Sequence, residues 1–509
     1  MSFGGFSVPE PGRRGSRQRI GLPVGLVACL ALLLAPVPAG LPVEGWRTAA
    51  VALLMAIWWV TEAIPIPATS LLPLALFPLL GVGAIEQAAV PYANPIIFLL
   101  LGGFLLALGM ERWGLPRRIA LRTIGALGHR PPAVIAGFMI AAAFLSMWVS
   151  NTATAMMMLP IGVSVLEFSR RDTRHGREVA GRNAGGGSDG EPATDVEAAN
   201  FATSLMLGIA YACSIGGLAT IVGTPPNAFA VGFLRENYGI DVAFAQWMLL
   251  ALPVVVVGVA LAYLVLTRWV FPTGALRIPG GREFIRGQLA QLGPMSAPER
   301  RVSVVFGLAA LLWIGRPLLT AVVPGLSDAG IAVGAGLMLF ALPSGEGKGR
   351  MLLSWDKARE LPWGALLLFG GGLSLASSFQ RTGLTVWIGS ALDGLAAWPP
   401  ILVVLAVTAV MIFLTELTSN TATAAAFLPL VGSVAVGIGE NPLLLTVPAA
   451  LAATCAFMLP VATGPNIVVY GSGAVTIPQM ARAGIVLNLV FIGLITVTAY
   501  ALASVVFGT

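Results

Sequence analysis

Ser150-Asn151-Thr152-Ala153-Thr154-Ala155 recurs 269 positions later (419 − 150) as Ser419-Asn420-Thr421-Ala422-Thr423-Ala424. Each copy leads to a proline, Pro160 and Pro429, and both interrupt apolar sequence, where an unsatisfied polar group is costly. Side-chain amide and hydroxyl oxygens, with carbonyls released by a helix break, are hard ligands suited to a small hard cation. The same residues cap helix N-termini, so the helix that follows would aim N–H groups and its dipole at an anion. One such cluster can hold a cation and a carboxylate together. Ser146 and Thr415 lie one helical turn before the two copies and share the offset. A single cluster would be explained as well by polar glue between helices. Two in matched surroundings favour a binding site.

A second pair has the same character. Gly223-Thr224-Pro225-Pro226-Asn227 corresponds to Ala462-Thr463-Gly464-Pro465-Asn466 at an offset of 239 (466 − 227), each midway along an apolar stretch. Proline removes a donor and breaks the helix, leaving carbonyls in need of partners. A simple proline kink is the plainer explanation; matched breaks in two halves point again to a site.

These motifs sit in a chain of 509 residues that is 57% hydrophobic and only 10% charged, against roughly 25% charged in soluble domains. The expected fold is an all-α polytopic membrane protein. Spans fall at 21–41, 46–63, 66–83, 92–112, 244–270, 302–323, 328–344, 362–380 and 484–507, with broken spans at 199–232 and 443–480. That makes about 11 transmembrane helices, joined by two re-entrant hairpins at 131–168 and 399–436. Of 29 Lys and Arg, this map leaves 25 (29 − 4) on one side, which the positive-inside rule makes cytoplasmic. The N-terminus is then cytoplasmic and the C-terminus outside.

The offset of 269 also relates Gly102-Gly103 to Gly371-Gly372, Arg112 to Arg381 and Gly114-Leu115 to Gly383-Leu384. An odd number of crossings separates the halves, so the repeat is inverted. The expected organisation is a basic tail (1–20), N-terminal helices (21–91), a first repeat (92–270), a connection with linking helices (271–361) and a second repeat (362–509). A polar insert at 169–200 reads as a solvated cytoplasmic loop. The arginines near the N-terminus precede a helix expected to be retained rather than cleaved.

The net charge of +6 lies in loops between spans and does not indicate nucleic acid. Cys29, Cys213 and Cys455 stand singly in apolar segments and read as packing residues, and His129 and His175 read as loop residues. No nucleophile–base pair is evident, so an intramembrane enzyme is disfavoured. Arg316 and Glu416 are charged well inside spans; Glu416 is either a tuned functional group or a hydrogen-bonded support. Neither hairpin and neither broken span contains Lys or Arg. A buried dianion there has two half-helix ends, about half a charge each, and no basic side chain. Cations must supply the rest.

The paired motifs, with Trp58-Trp59-Val60-Thr61-Glu62-Ala63-Ile64-Pro65, the stretch from Pro362-Trp363-Gly364 to Gly370-Gly371-Gly372, and Ala456-Phe457-Met458-Leu459-Pro460-Val461-Ala462-Thr463, resemble the divalent anion/sodium symporter family. The resemblance covers nearly the whole chain outside the tail and the insert. It implies a homodimer in a lipid membrane, the inner membrane of a bacterium, with scaffold and transport parts and elevator-like movement. It implies symport of dicarboxylates such as succinate, malate or fumarate with two or more sodium ions; relatives take citrate or sulfate, and some branches are sodium-independent exchangers. One sodium site would use Ser146, Ser150, Asn151 and Gly223, the other Thr415, Thr418, Asn420 and Ala462. Substrate carboxylates would meet Asn151, Thr152, Thr224, Pro225, Ser419, Asn420, Thr421 and Thr463. Gly464 departs from the family pattern, which has proline there, and frees the backbone beside the substrate.

Overall fold

The computed structural model describes residues 16–128, 130–183, 192–273, 281–347, 349–391 and 393–507. These form helices joined by short connections, and among them the β-pairing is an isolated bridge between Pro343 and Met351. Nine helical stretches among the described residues are long and apolar enough to cross a bilayer, and five shorter apolar helices accompany them. The first helix, Ser16–Leu34, packs on Val43–Thr61, where Trp58 Nε1 donates to the Leu22 carbonyl at 3.3 Å.

The repeat is visible in the helix ends. The first hairpin consists of Pro131–Ser146 and a returning arm that starts at Asn151; the second consists of Pro400–Thr415 and Asn420–Gly437. Adding 269 to 131, 146 and 151 gives 400, 415 and 420, so three boundaries coincide. Prolines at the first helical turn and the polar cluster at the tip recur in both copies, and they set those boundaries. The broken spans are Pro192–Gly217 with Pro225–Tyr238, and Pro442–Ala452 with Gly464–Gly471. A short 3-10 turn, Pro460–Ala462, lies inside the second break.

Two expectations need correction. The run 66–83 is two short helices, Ile66–Thr69 and Leu72–Leu79, because its prolines interrupt the backbone ladder. The returning arm of the first hairpin continues as helix to Asn183, and the next helix begins at Pro192. The polar insert is therefore helical over 169–183 and 192–200, and His175 lies on a helix; 184–191, His129 and the tail through 15 lie outside the described residues. The connection 272–301 contains the helix Gly281–Gln291 and the start of Ala297–Leu319.

The matched glycine pairs explain how the repeats seat on the other helices. They sit on Pro95–Arg112 and Trp363–Arg381. A Cβ on Gly102 would strike the backbone of Ala332, and one on Gly371 the backbone of Ser70. The second glycine of each pair faces the broken span: Gly103 meets Val222, and Gly372 meets Phe229. Each repeat thus presses one helix between an outer element and the first break. The two repeats also interlock. The returning arm of the first hairpin packs on Gly464–Gly471 from the second repeat, and Asn420–Gly437 packs on Pro225–Tyr238 from the first.

Gly371→Ala is expected to cost about 1–3 kcal/mol of stability through overpacking against rigid backbone. Gly307, on a helix with open space around it, serves as the control: Gly307→Ala should leave thermal unfolding unchanged or slightly raised.

Candidate functional site

At both hairpin tips an asparagine side chain faces three oxygens. Asn151 lies against Ser146 Oγ at 2.5 Å and the carbonyls of Cys213 at 3.2 Å and Gly223 at 3.3 Å. Asn420 lies against Thr415 Oγ1 at 3.0 Å and the carbonyls of Ala453 and Ala462, each at 3.2 Å. Two arrangements satisfy such a set. With the amide nitrogen turned inward, the asparagine donates to its neighbours. With the amide oxygen turned inward, four oxygens converge with a single hydroxyl hydrogen among them, a set that a cation would complete. Neither set contains a carboxylate, a composition that suits a singly charged hard cation better than a divalent one. Ser146 and Thr415 are fully buried, whereas Asn151 and Asn420 are partly exposed, so each set has a sealed floor and an accessible side.

The residues expected for cation binding are only partly gathered here. Ser146, Asn151 and Gly223 come together, as do Thr415, Asn420 and Ala462. Ser150 instead caps its own helix, accepting from Ala153 N at 3.2 Å. Thr418 bonds within its hairpin, donating to the Leu414 carbonyl at 3.0 Å and pairing with Thr423 Oγ1 at 2.5 Å. The carbonyls of Cys213 and Ala453 were not anticipated. Backbone oxygens carry no residue-type signal, although their places near helix C-termini, where carbonyls lose intrahelical partners, are a structural cue.

Beside the oxygen sets lie helix N-termini. Four helices begin at this region, at Asn151, Pro225, Asn420 and Gly464, twice the two ends expected from the sequence. Each offers about half a positive charge and unpaired N–H groups. Thr152 packs directly on Gly464, and Thr224 Oγ1 lies 3.4 Å from Thr454 Oγ1. Ser419 precedes its helix without a side-chain cap bond, while Thr463 accepts from Asn466 N at 3.2 Å. Thr152, Pro225, Ser419 and Thr421 are partly exposed; Thr224 and Thr463 are buried. Carbonyl-rich helix ends and N–H-rich helix starts therefore stand side by side, a layout able to hold a cation and an anion in adjacent places.

Over residues 17–508 the chain matches the family described as the sodium:sulfate symporter transmembrane region. It belongs to that family. The sodium-dependent dicarboxylate transporter SdcS of Staphylococcus aureus, in strains USA300 and N315, is 42% identical over 495 residues, 96% of this chain and 92% of that protein. A solved structure of the YdaH transporter from Alcanivorax borkumensis is similar at a TM-score of 0.49 and 14% identity, covering 96% of this chain and 97% of that one. The resemblance read from the paired motifs is borne out, and the chain is a membrane transporter rather than an enzyme.

In this symporter the breaks are held by side chains with no ligand role in the sequence reading. Asn227 Nδ2 donates to the carbonyls of Gly217 (3.1 Å), Leu218 (3.1 Å) and Thr220 (2.8 Å). Asn466 Nδ2 repeats this on Ala456 (3.1 Å) and Leu459 (3.0 Å). Glu416 is a support: it accepts from the backbone N–H of Phe457 (2.7 Å), Met458 (2.9 Å) and Leu459 (3.1 Å), and from Asn488 Nδ2 (2.8 Å). Its counterpart in the first repeat, Met147, offers a backbone carbonyl to Thr220 Oγ1 at 2.5 Å. The other charge inside a span, Arg316, pairs with Asp328 at 2.5 Å.

Gly464 has a steric reason. A Cβ there would overlap Thr152 Oγ1 and lie 2.9 Å from Thr152 Cβ. Gly464→Ala is expected to lower the unfolding temperature, and Thr152→Ala in the same protein to recover most of that loss. Thermal unfolding of the single and double variants checks this; additive losses would mean the two residues are not in contact.

Proposed function

We propose that this protein is a secondary active transporter that carries C4-dicarboxylates such as succinate, malate and fumarate, or related divalent anions, together with two or more sodium ions. The twin oxygen sets at Asn151 and Asn420 are the observation that supports it most. Each is neutral, part-buried and completed by a cation. Substrate carboxylates go to the helix starts and to Asn151, Thr152, Thr224, Pro225, Ser419, Asn420, Thr421 and Thr463. The names of the relatives from Staphylococcus aureus support both the sodium and the dicarboxylate.

Charge explains the coupling. The hairpins and broken spans contribute no Lys or Arg, so a dianion there meets only helix dipoles, whose effect fades within a turn. Two sodium ions neutralise it. Their sites share a hairpin tip with the anion's partners, so filling one side organises the other. When the ions leave, the asparagine amides can turn and donate to the oxygens that held them, which keeps the buried carbonyls paired. The carbonyls of the two oxygen sets are then partnered in both the loaded and the empty form, which suits a carrier that moves in both forms.

Eleven crossings, an inverted repeat, and an N-terminus in the cytoplasm with the C-terminus outside follow from the span map and the basic-residue asymmetry. An elevator-like movement of the hairpins and broken spans against the remaining helices, a homodimer, and insertion in a bacterial inner membrane follow the family resemblance. A sodium-independent exchanger of the same fold is the second reading, since helix dipoles alone could bind an anion weakly. Succinate binding to the purified protein separates them. Affinity should collapse when sodium is replaced by choline and should rise with sodium with a Hill slope above one. Equal affinity in sodium and choline would leave the exchanger in its place.

A further inference from the structure

A groove of about 360 Å³ runs along the membrane-facing side of the first hairpin, between Pro131–Ser146 and the helix Phe244–Leu264. Ala136, Ile140 and Met147 line one wall, and Val256, Ala260 and Tyr263 the other. The Tyr263 hydroxyl is the single polar side-chain group among its lining residues. Ile140 is 45% and Val256 62% exposed, so the groove opens sideways from the protein.

The two walls run in opposite directions: Trp148 at the hairpin tip stacks on Phe244 at the start of the other helix, with ring centroids 6.1 Å apart. Arg130 precedes one helix, and Arg268 lies four residues past Leu264 in the helical continuation to Val270, so the opposite directions put both toward the end of the groove away from the tip. Both are exposed, and neither has an ion-pair partner among the described residues. Trp269, 69% exposed, stands beside Arg268, the kind of residue that marks a membrane–water boundary. From Ala136 to Met147 the wall spans about 16 Å at 1.5 Å per residue. That is close to half of the ~30 Å hydrocarbon core, or one leaflet.

The geometry points to a phospholipid site: one acyl chain lies in the groove from the boundary to the hairpin tip, and an anionic phosphate headgroup sits between Arg130 and Arg268. Length, apolar lining and the two unpaired cations at one end agree on the same occupant. By the basic-residue asymmetry, the leaflet is the cytoplasmic one. The chain would end against Met147, whose carbonyl holds Thr220 at 2.5 Å, next to Ser146 of the first oxygen set. The lipid would thus back the hairpin tip where the groove leaves it otherwise unsupported.

Native mass spectrometry of the purified full-length protein, supplied with phosphatidylglycerol or phosphatidylcholine, tests the site. One phosphatidylglycerol per chain should be retained, at least fivefold more than phosphatidylcholine. Ala260→Phe fills the groove from an exposed position and should cut retention at least fivefold. The double change Arg130→Gln with Arg268→Gln should do the same by removing the headgroup partners. Val257→Phe, exposed on the same helix outside the groove, should retain lipid like the unchanged protein. If Ala260→Phe does not fold, Ile140→Trp fills the opposite wall. Unchanged retention in the groove-filling variant, or no preference for the anionic lipid that the double Gln variant removes, would overturn the proposal.

Discussion

Backbone groups released inside a bilayer must be paired, and the arrangement of this transporter follows from how four helix breaks meet that demand. Two breaks are hairpin tips and two are interrupted spans. Asn227 and Asn466 bind the carbonyls of the interrupted spans, Glu416 gathers three N–H groups in the second, and Thr220 ties the first to its hairpin. Asn151 is turned toward the carbonyls of Cys213 and Gly223, and Asn420 toward those of Ala453 and Ala462, the first of which also accepts from Thr415 Oγ1 at 2.7 Å. On the proposed reading these are the oxygens that a coupling cation would share with the asparagines.

The halves are alike in plan and unlike in detail. A carboxyl side chain supports the second break where a backbone carbonyl serves the first. Pro225 opens one interrupted helix and Gly464 the other, and the glycine leaves room for Thr152 to pack on its backbone. In the first repeat, Trp148 stacks on Trp313 and meets Phe306 edge-on, both on the linking helix, with centroids 6.4 and 5.1 Å away. Glu416 keeps its hairpin tip bound to its own repeat, while Trp148 ties the other to a helix outside it. These differences give the two oxygen sets separate surroundings despite their matching composition.

Much of this was legible in the sequence because duplication writes itself as an offset. The positions of Ser146, Asn151, Thr415 and Asn420 were read from spacing alone, and the helix ends at 131, 146 and 151 recur at 400, 415 and 420. Gly223 and Ala462, supplied by the family resemblance, also reach the oxygen sets. Ser150 and Thr418 do not, because a hydroxyl at a tip can bond its own helix instead of a ligand. Cys213 and Ala453 were missed because their contribution is a carbonyl, common to every residue type. The full set of helix starts depended on tertiary interlocking of the repeats, and the helical extent of the polar insert ran against its composition.

The central claim is that two equivalent oxygen sets, each centred on one asparagine, hold the coupling cations. Sodium titration of the purified protein without substrate, followed by tryptophan fluorescence or thermal stabilisation, tests it most directly. The unchanged protein should respond with a Hill slope above one. Asn151→Ala and Asn420→Ala should each leave a single non-cooperative site, and the double variant should not respond to sodium while remaining folded. A sodium response that survives both substitutions unaltered would contradict the account.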